Sequence, residues 1–286
     1  MKIAFWGAGR MGAPIGRLLA ASNNSLVAYS RSLDKAEAIA AAGASARATT
    51  CRDDLAECDV LVSCLALPHH LQEGMLGASG ADGLYALLKP GVVHIECSTI
   101  APGLAEELAA ALQKRGGAYV QATLSKTPEH AARGESPIFV GGESAAKDKV
   151  WPLLEIMGKP VDVGSIKASC AVKLISNLIG MSNIAILGEG MRLGMEAGVA
   201  PGQLLKLLQD TGARSFQMDV RGPMMVNNDY SPRFAVALAS KDLRLGCEMA
   251  KSLSCSVPLM ELAWGKYRSA EEAGDGELDV AAVARQ

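Results

Sequence analysis

The 286-residue sequence has few histidines, little net charge and no long apolar run, and each shortage narrows what the protein can do. The four histidines lack metal-ligand spacing to one another or to cysteine, so a metal site is not expected. A net charge of −2 provides no basic field for nucleic acid or an anionic membrane, so any anion-binding site must be local. No run of about 18 apolar residues marks a membrane span. No signal peptide is expected either, because the first apolar residues form a strand before a glycine motif.

The seven cysteines are odd in number and form no C-x-x-C pair. Several of them lie inside apolar runs such as VLVSCLAL and HIECST. This pattern is typical of small core residues that stay reduced, and it predicts a cytoplasmic protein rather than a disulfide scaffold.

Short apolar strands alternate with helices through the first 164 residues of the chain. Strands that are apolar throughout and separated by helices indicate a parallel sheet covered on both faces. The predicted strands are KIAFWG, SLVAYS, VLVSCLA, GVVHIECS, YVQATL and PIFVGG.

The pattern changes after VDVG, near residue 164. From about Ala168 to Ala197 apolar residues recur at helical spacing without a proline, and only helical segments follow. The sequence therefore predicts an α/β domain over residues 1–164 and an all-α domain over residues 165–286, joined by a long inter-domain helix.

A G-x-G-x-x-G motif directly follows the first strand and opens a helix. Glycines there permit a tight turn and a close approach of the backbone to a pyrophosphate, which the helix N-terminus attracts. The motif alone is weak, but its position favours a Rossmann-type dinucleotide-binding domain over a purely structural turn. The predicted cofactor contacts in this loop are Gly7, Ala8, Gly9, Arg10, Met11 and Gly12.

The end of the second strand indicates which dinucleotide is bound. An NAD site usually has an acidic residue there for the ribose hydroxyls, whereas this chain has Ser30, Arg31 and Ser32. A carboxylate would repel a 2′-phosphate, and an arginine between two hydroxyl groups would bind it. We therefore predict NADP as the cofactor; the alternative is that Arg31 lies on a solvated edge.

Lys173 and Asn177 are four residues apart on the long predicted helix, so they share one face. Their neighbours are apolar, and burial of a lysine would lower its pKa and make it a plausible proton donor and acceptor. The alternative is a surface lysine whose aliphatic stem packs on the helix.

Together these residues resemble the β-hydroxyacid dehydrogenase family, to which 3-hydroxyisobutyrate dehydrogenase and tartronate semialdehyde reductase belong. The resemblance extends over nearly the whole chain. Five motifs in the family's order carry it: GAGRMGAPIG, Leu67-Pro68, ECSTIAP with Thr99, Lys173-Leu-Ile-Ser-Asn177, and SKDL with Lys241.

The resemblance implies hydride transfer between the nicotinamide and a small anionic β-hydroxyacid or its semialdehyde. It implies that Lys173 is the general acid/base and that Asn177 holds the substrate. It also implies a site between the domains and a homodimer or homotetramer built through the helical half. The implied cofactor contacts outside the glycine loop are Leu67, Pro68, Thr99 and Lys241.

The turn after the strand YVQATL departs from the family pattern. Where the family has Ser-Gly-Gly, whose backbone holds the substrate carboxylate, this chain has Ser125, Lys126 and Thr127. Sulfolactaldehyde reductase, in the same family, has Gly-Arg-Thr at this turn, and there the cation is implied to meet a sulfonate. We expect these three residues to bind an anionic group on the substrate; the alternative is that Lys126 is a solvated turn residue. The glycine-rich segment before Lys173 also departs, with two glycines replaced between Gly164 and Ser169.

Two other functions are compatible with the same architecture. Imine reductases share it but commonly have Asp or Tyr in place of the lysine, and this chain keeps Lys173. A non-catalytic NADP-binding regulator would need no lysine–asparagine pair.

Overall fold

The computed structural model describes residues 1–78 and 81–286 and divides the chain into two compact units, Met1–Lys173 and Leu174–Gln286. The first unit contains an eight-stranded sheet and the second is helical. This is the predicted fold class, an α/β dinucleotide-binding fold followed by an all-α domain, with one long helix running from the first into the second.

The large sheet has the strand order β10-β9-β8-β7-β4-β1-β2-β3, and a two-residue hairpin, β5-β6, lies outside it. Chain order reverses on the two sides of β1, which creates a crevice at the carboxyl ends of β1 and β4. The strands are β1 (Lys2–Trp6), β2 (Ser25–Tyr29), β3 (Ala46–Thr49), β4 (Val60–Ser63), β5 (Gly77–Ala78), β6 (Ala81–Asp82), β7 (Val93–Glu96), β8 (Ala118–Leu124), β9 (Pro137–Gly142) and β10 (Lys159–Gly164).

The expectation of a parallel sheet is wrong for one pair of strands. Strands β8 and β9 are antiparallel, whereas every other neighbouring pair in the large sheet is parallel. The helix between these two strands, α6 (Pro128–Ala132), has only five residues and rises about 7.5 Å. Strand β8 extends over about 23 Å, so α6 cannot return the chain to the start of a parallel strand.

The sheet is apolar on both faces, as predicted. In β1 alone, Ile3 and Phe5 belong to one buried cluster and Ala4 to another, because successive side chains point to opposite faces. Three of the covering helices begin with proline. Proline suits the first helical position because a backbone N–H there has no acceptor within the helix, so its absence removes no hydrogen bond. The helices of this unit, besides α6, are α1 (Gly12–Ala20), α2 (Leu33–Ala40), α3 (Pro68–Leu76), α4 (Leu84–Leu87), α5 (Pro102–Gln113) and α7 (Ser144–Met157), with a 3₁₀ turn at Arg52–Leu55.

The second unit packs its helices around a core that includes Leu243, Tyr267 and Val280. A buried ion pair joins Arg221 Nε to Asp279 Oδ1 at 3.4 Å. The helices are α8 (Ile166–Glu196, which begins in the first unit), α9 (Pro201–Gln209), α10 (Phe216–Asn227), α11 (Val236–Ser252) and α12 (Pro258–Ala270), followed by a π turn at Glu271–Asp275 and a 3₁₀ turn at Val280–Arg285.

Helix α8 is long and apolar enough to cross a membrane by length and composition alone. Its sequence is not an uninterrupted apolar run, because polar residues such as Asn177 and Ser182 occur within it. Core helices of soluble proteins have the same properties, so the observation is weak evidence for a membrane.

Four of the seven cysteines are buried, as predicted for small core residues: Cys58, Cys97, Cys170 and Cys247. Cys64 is half-buried. The prediction is wrong for Cys51 and Cys255, which are exposed because they lie in connecting segments, before the 3₁₀ turn and between α11 and α12. Burial raises the pKa of the Cys58 and Cys170 thiols to about 12, so these two stay protonated and unreactive at neutral pH.

Candidate active site

The glycine loop between β1 and α1 is shaped by contacts that leave no room for a side chain. Gly7 has φ +136°, and a Cβ there would lie 2.3 Å from the Cys64 carbonyl oxygen. A Cβ on Gly12 would lie 1.8 Å from the Gly7 carbonyl oxygen. Gly9, in contrast, has open space where its Cβ would be. The loop therefore packs tightly on the protein and exposes backbone at Gly9, which is the geometry that a pyrophosphate needs.

A cavity of about 430 Å³ lies beside the end of β2, and it is lined by Arg31, a residue predicted from the sequence to contact the cofactor. A second cation, Arg52, lines the same cavity and was not identified from the sequence. Tyr29, Leu65 and His70 contribute to the wall. Two acidic residues, Glu73 and Asp82, also line it. Arginine is the side chain best suited to bind a phosphate, and two arginines line this cavity, whose volume is that of a small-molecule site.

The pairing of β2 with β3 brings Arg52 to this cavity. Tyr29 is paired with Thr49 in the parallel ladder, and the Ser30 N–H donates to the Thr49 carbonyl at 3.3 Å. The chain then turns into the 3₁₀ segment that begins at Arg52. No spacing rule connects residues 31 and 52, so only the sheet register could reveal that they belong to one site.

The loops after β4 and β7 are tied together. The Leu65 N–H donates to Ser98 Oγ at 2.7 Å, and Cys97 N–H donates to the Ser63 carbonyl at 2.8 Å. Leu67 caps α3 and Pro68 begins it, while Thr99 directly follows Ser98. These loops end at the crevice where strand order reverses, which is where dinucleotides bind in this class of fold.

A buried polar cluster lies beneath these two loops, and no sequence motif indicates it. The Glu96 carboxyl group accepts hydrogen bonds from the Ser63 hydroxyl and the Ser98 N–H. Burial raises the pKa of Glu96 to about 7, against the opposing effect of those hydrogen bonds. Burial lowers the pKa of His94 to about 3, so this histidine is neutral.

The hydrogen bonds of the cluster form one directed chain. Because Ser63 donates to Glu96, its oxygen accepts from His94 Nε2, 2.7 Å away. The proton on Nε2 leaves His94 Nδ1 to accept from the Tyr85 hydroxyl at 2.6 Å. With Glu96 ionised, every donor in this chain has an acceptor.

The turn after β8 holds Lys126 in a left-handed backbone conformation, with φ +66°. Lysine rarely adopts this conformation, and strain of this kind often marks a functional position. The neighbouring Thr127 Oγ1 lies 2.9 Å from His130 Nδ1, so the turn also holds a histidine that we had not assigned to the site. The Lys126 side chain is exposed, whereas Ser125 and Thr127 are half-buried.

Two glycines of the family pattern before Lys173 are replaced here. Gly164 remains and has φ +87°, which suits glycine. Ser169, at one of the replaced positions, is buried, and its hydroxyl donates to the Phe139 carbonyl at 2.7 Å. The serine is thus held by the backbone of β9.

Lys173 and Asn177 lie one turn apart on α8, and both are half-buried. In the second unit the Asn177 Nδ2 donates to Asp242 Oδ2 at 2.6 Å. Lys241 Nζ lies 2.8 Å from the other oxygen of the same buried carboxylate. Asp242 therefore brings together two of the residues predicted from the sequence, Asn177 and Lys241.

Three polar residues near α10, whose role the sequence left open, have structural partners. Arg221 is buried against Asp279, and Arg214 pairs with Asp219 at 3.2 Å. Gln217 packs against Gly180, and a Cβ atom placed on Gly180 would lie 3.1 Å from the Gln217 Nε2. Among the residues that the structure describes, no three histidine, cysteine or acidic side chains lie close enough together to hold a metal ion.

Comparison with known proteins identifies two family models that together span the chain. Residues 2–172 match the NAD binding domain of 6-phosphogluconate dehydrogenase, and residues 168–286 match the NAD-binding domain of NADP-dependent 3-hydroxyisobutyrate dehydrogenase. The chain belongs to the β-hydroxyacid dehydrogenase family. It is an NAD(P)-dependent oxidoreductase, as the resemblance implied.

Individual relatives cover the whole length of the enzyme. It is 33% identical to the NAD-dependent L-serine dehydrogenase of Pseudomonas aeruginosa, over 99% of this chain and 96% of the relative. A solved 3-hydroxyisobutyrate dehydrogenase from Salmonella typhimurium has a TM-score of 0.90 at 28% identity, over 100% of this chain and 99% of that one. The structure of Psf3 in complex with NADP+ and 2-OPP has a TM-score of 0.88 at 27% identity, over 99% of both chains. The fold is that of soluble dehydrogenases.

Proposed function

We propose that the enzyme is an NADP-dependent oxidoreductase that interconverts a small anionic β-hydroxyacid and its semialdehyde. The proposal of an anionic substrate rests on Lys126. This lysine places a cation just after the carboxyl end of β8, and its own backbone is in a strained conformation. The chain has a slight excess of acidic residues, so a negatively charged substrate requires such a local cation. Ser125 and Thr127 supply further hydrogen-bond donors in the same turn.

The cofactor assignment is supported by the cavity that Arg31 and Arg52 line. Ser30 and Ser32 flank Arg31, and the Ser32 N–H donates to Ser30 Oγ at 3.2 Å, so the end of β2 forms a compact polar turn. We assign this turn to the 2′-phosphate of NADP. The remaining proposed cofactor contacts are Gly7, Ala8, Gly9, Arg10, Met11, Gly12, Leu67, Pro68, Thr99 and Lys241.

Lys173 is assigned as the general acid/base, and Asn177 as the residue that holds the substrate. A bound NADP(H) supplies or accepts the hydride. In the reductive direction Lys173 Nζ gives a proton to the oxygen of the former carbonyl group, and in the oxidative direction it takes that proton back. The Asn177 Nδ2 donates to Asp242, and this hydrogen bond fixes the orientation of the amide group.

The proposal keeps residues 1–164 as the cofactor-binding domain and residues 165–286 as the substrate and dimerisation domain of a cytoplasmic homodimer or homotetramer. Exposed apolar side chains on α8 support assembly with a second copy, since a monomer rarely leaves so many in one row. Ile175, Ile179, Ile186 and Leu193 are 45%, 48%, 69% and 72% exposed in the single chain.

Two substitutions of Lys126 distinguish the effect of its charge on substrate binding from the effect of its backbone strain on stability. Both Lys126→Ala and Lys126→Gly are expected to raise KM for an anionic semialdehyde about tenfold or more, as for a lost charged contact of about 1.5–3 kcal/mol, and to leave an uncharged aldehyde unaffected. Only Lys126→Gly is expected to stabilise the fold, by about 0.5–1 kcal/mol, because glycine alone adopts a positive φ without strain. Steady-state kinetics and urea unfolding measure the two effects.

The exposed Lys114→Ala serves as the control, because it removes an equal charge from elsewhere in the first unit. If anionic and uncharged aldehydes respond alike to loss of Lys126, the residue is only a turn residue and the proposed anionic substrate loses its support.

A further inference from the structure

Glu96 lies at the carboxyl end of β7, beneath loops that the proposed function assigns to the cofactor. The adenosine side of the proposed cofactor site lies at β2, where Arg31 and Arg52 line their cavity. A dinucleotide that crosses the crevice from β2 must therefore place its nicotinamide half over the ends of β4, β7 and β8. Glu96 belongs to that half, one residue before the Cys97-Ser98-Thr99 loop.

The carboxyl group of Glu96 is held rigidly in this position. It accepts from Ser63 at the end of β4 and from the Ser98 N–H, and Ser98 Oγ accepts the Leu65 N–H at 2.7 Å. The Gln121 amide donates to the carbonyl groups of Glu96 and Ser98 at 3.1 and 3.2 Å. Glu96 itself has no solvent exposure.

The titratable groups that face Glu96 from the surrounding elements stay neutral across the physiological pH range. Burial lowers the pKa of His94 to about 3. Burial also raises the pKa of Tyr85 on α4, Tyr119 on β8 and Cys97 after β7 well above their usual ranges, and that of Cys170 on α8 to about 12. Within this cluster Glu96 is the group that changes charge near neutral pH, with a pKa of about 7.

We propose that Glu96 selects between the two redox forms of the cofactor: its buried carboxylate favours the cationic nicotinamide of NADP+ over the neutral ring of NADPH. The inference rests on the proposed cofactor site. NADP+ and NADPH carry the same phosphates and differ by one positive charge on the ring. A negative charge fixed in the protein beneath the nicotinamide half therefore acts on their ratio of affinities, whatever it does to the two affinities separately.

The test is the ratio of the dissociation constants of NADPH and NADP+, measured by calorimetry or NADPH fluorescence between about pH 6 and about pH 8.5, a range that spans the Glu96 titration. In the wild-type enzyme the carboxylate forms as pH rises through about 7, so the preference should shift toward NADP+. At an effective dielectric constant of about 20, two unit charges about 10 Å apart interact strongly enough to change the ratio of the two dissociation constants about tenfold. Glu96→Gln, which is neutral at every pH, should show no shift.

Taking the ratio of the NADPH and NADP+ dissociation constants removes any effect that changes the two affinities equally, as loss of a purely structural residue would. Loosening of the loops and ionisation of the 2′-phosphate change both affinities alike. Glu155→Gln removes an exposed carboxylate of α7 in the same unit and should leave the pH dependence of the ratio intact.

A second variant keeps the test valid if Glu96→Gln does not fold. The Ser63 hydrogen bond lowers the pKa of Glu96, so Ser63→Ala should retain the shift toward NADP+ but move its midpoint to higher pH. A ratio that is independent of pH in the wild type, or a shift that persists in Glu96→Gln, overturns the inference while the cofactor site stands. Failure of the wild type to bind either cofactor overturns the proposed function and this inference with it.

Discussion

Lys173→Ala is expected to lower kcat by about 10²- to 10⁴-fold on the best substrate, which is the usual cost of losing a positioned proton-transfer group. Without the ammonium group the oxygen of the former carbonyl must take its proton from water. Affinity for NADPH should change little, because the proposed phosphate contacts lie at Arg31, Arg52 and the glycine loop. Steady-state kinetics and cofactor titration on the same preparation measure both quantities.

Two further variants distinguish proton transfer from simple loss of charge. Lys173→Arg keeps the positive charge but cannot release a proton near neutral pH, so its activity should be nearly as low as that of Lys173→Ala. Lys167→Ala changes an exposed lysine on the same helix and should leave kcat unchanged. A Lys173→Ala enzyme that keeps more than about half of its activity would exclude the acid/base role.

The Arg31→Ala/Arg52→Ala double variant is expected to lose at least about 100-fold in affinity for NADPH and very little in affinity for NADH. In the proposed site each guanidinium group would make a charge-assisted contact to the 2′-phosphate, and loss of one such contact costs about 1.5–3 kcal/mol. The wild type should prefer NADPH over NADH by at least about tenfold, and Arg31→Ala alone should erase most of that preference. Dissociation constants for the two reduced cofactors measure the effect directly.

Arg47→Ala is the matched control for Arg52. Arg47 is an exposed arginine on the neighbouring strand β3, and it pairs with Asp54 at 3.1 Å. Its loss should leave the NADPH preference unchanged. If the wild type binds NADPH and NADH equally well, the end of β2 does not recognise a 2′-phosphate and the enzyme is not selective for NADP.

Those parts of the fold that bury apolar runs could be predicted from the sequence. The core strands β1, β2, β4 and β7 lie inside the apolar segments expected of them, and α8 spans Ile166–Glu196 where the spacing predicts about 168–197. Strands β3 and β10 cannot be recognised from the sequence. Their segments, ARAT and KPVDVG, are short and poor in large apolar residues, and several of their side chains are exposed. Such strands form because a neighbouring strand offers free backbone groups, which local sequence does not record.

The sequence also predicts the parts of the candidate site that lie within a local motif. It does not predict the parts that form only when neighbouring strands pair. The glycine loop and Arg31 follow from local sequence. Arg52 reaches the same cavity only through the register of β2 with β3. The Glu96 cluster likewise depends on the pairing of Ser63 with Glu96 between β4 and β7.

We propose that the enzyme reduces small anionic semialdehydes with NADPH. The most direct measurement follows NADPH oxidation against succinic, tartronic, methylmalonic and sulfonated semialdehydes in one plate, with NADH and an uncharged aldehyde of similar size in parallel wells. We expect at least one anionic semialdehyde to be turned over with NADPH far faster than the uncharged aldehyde, and more slowly with NADH. Turnover that is equal for charged and uncharged aldehydes, or faster with NADH, would contradict the account.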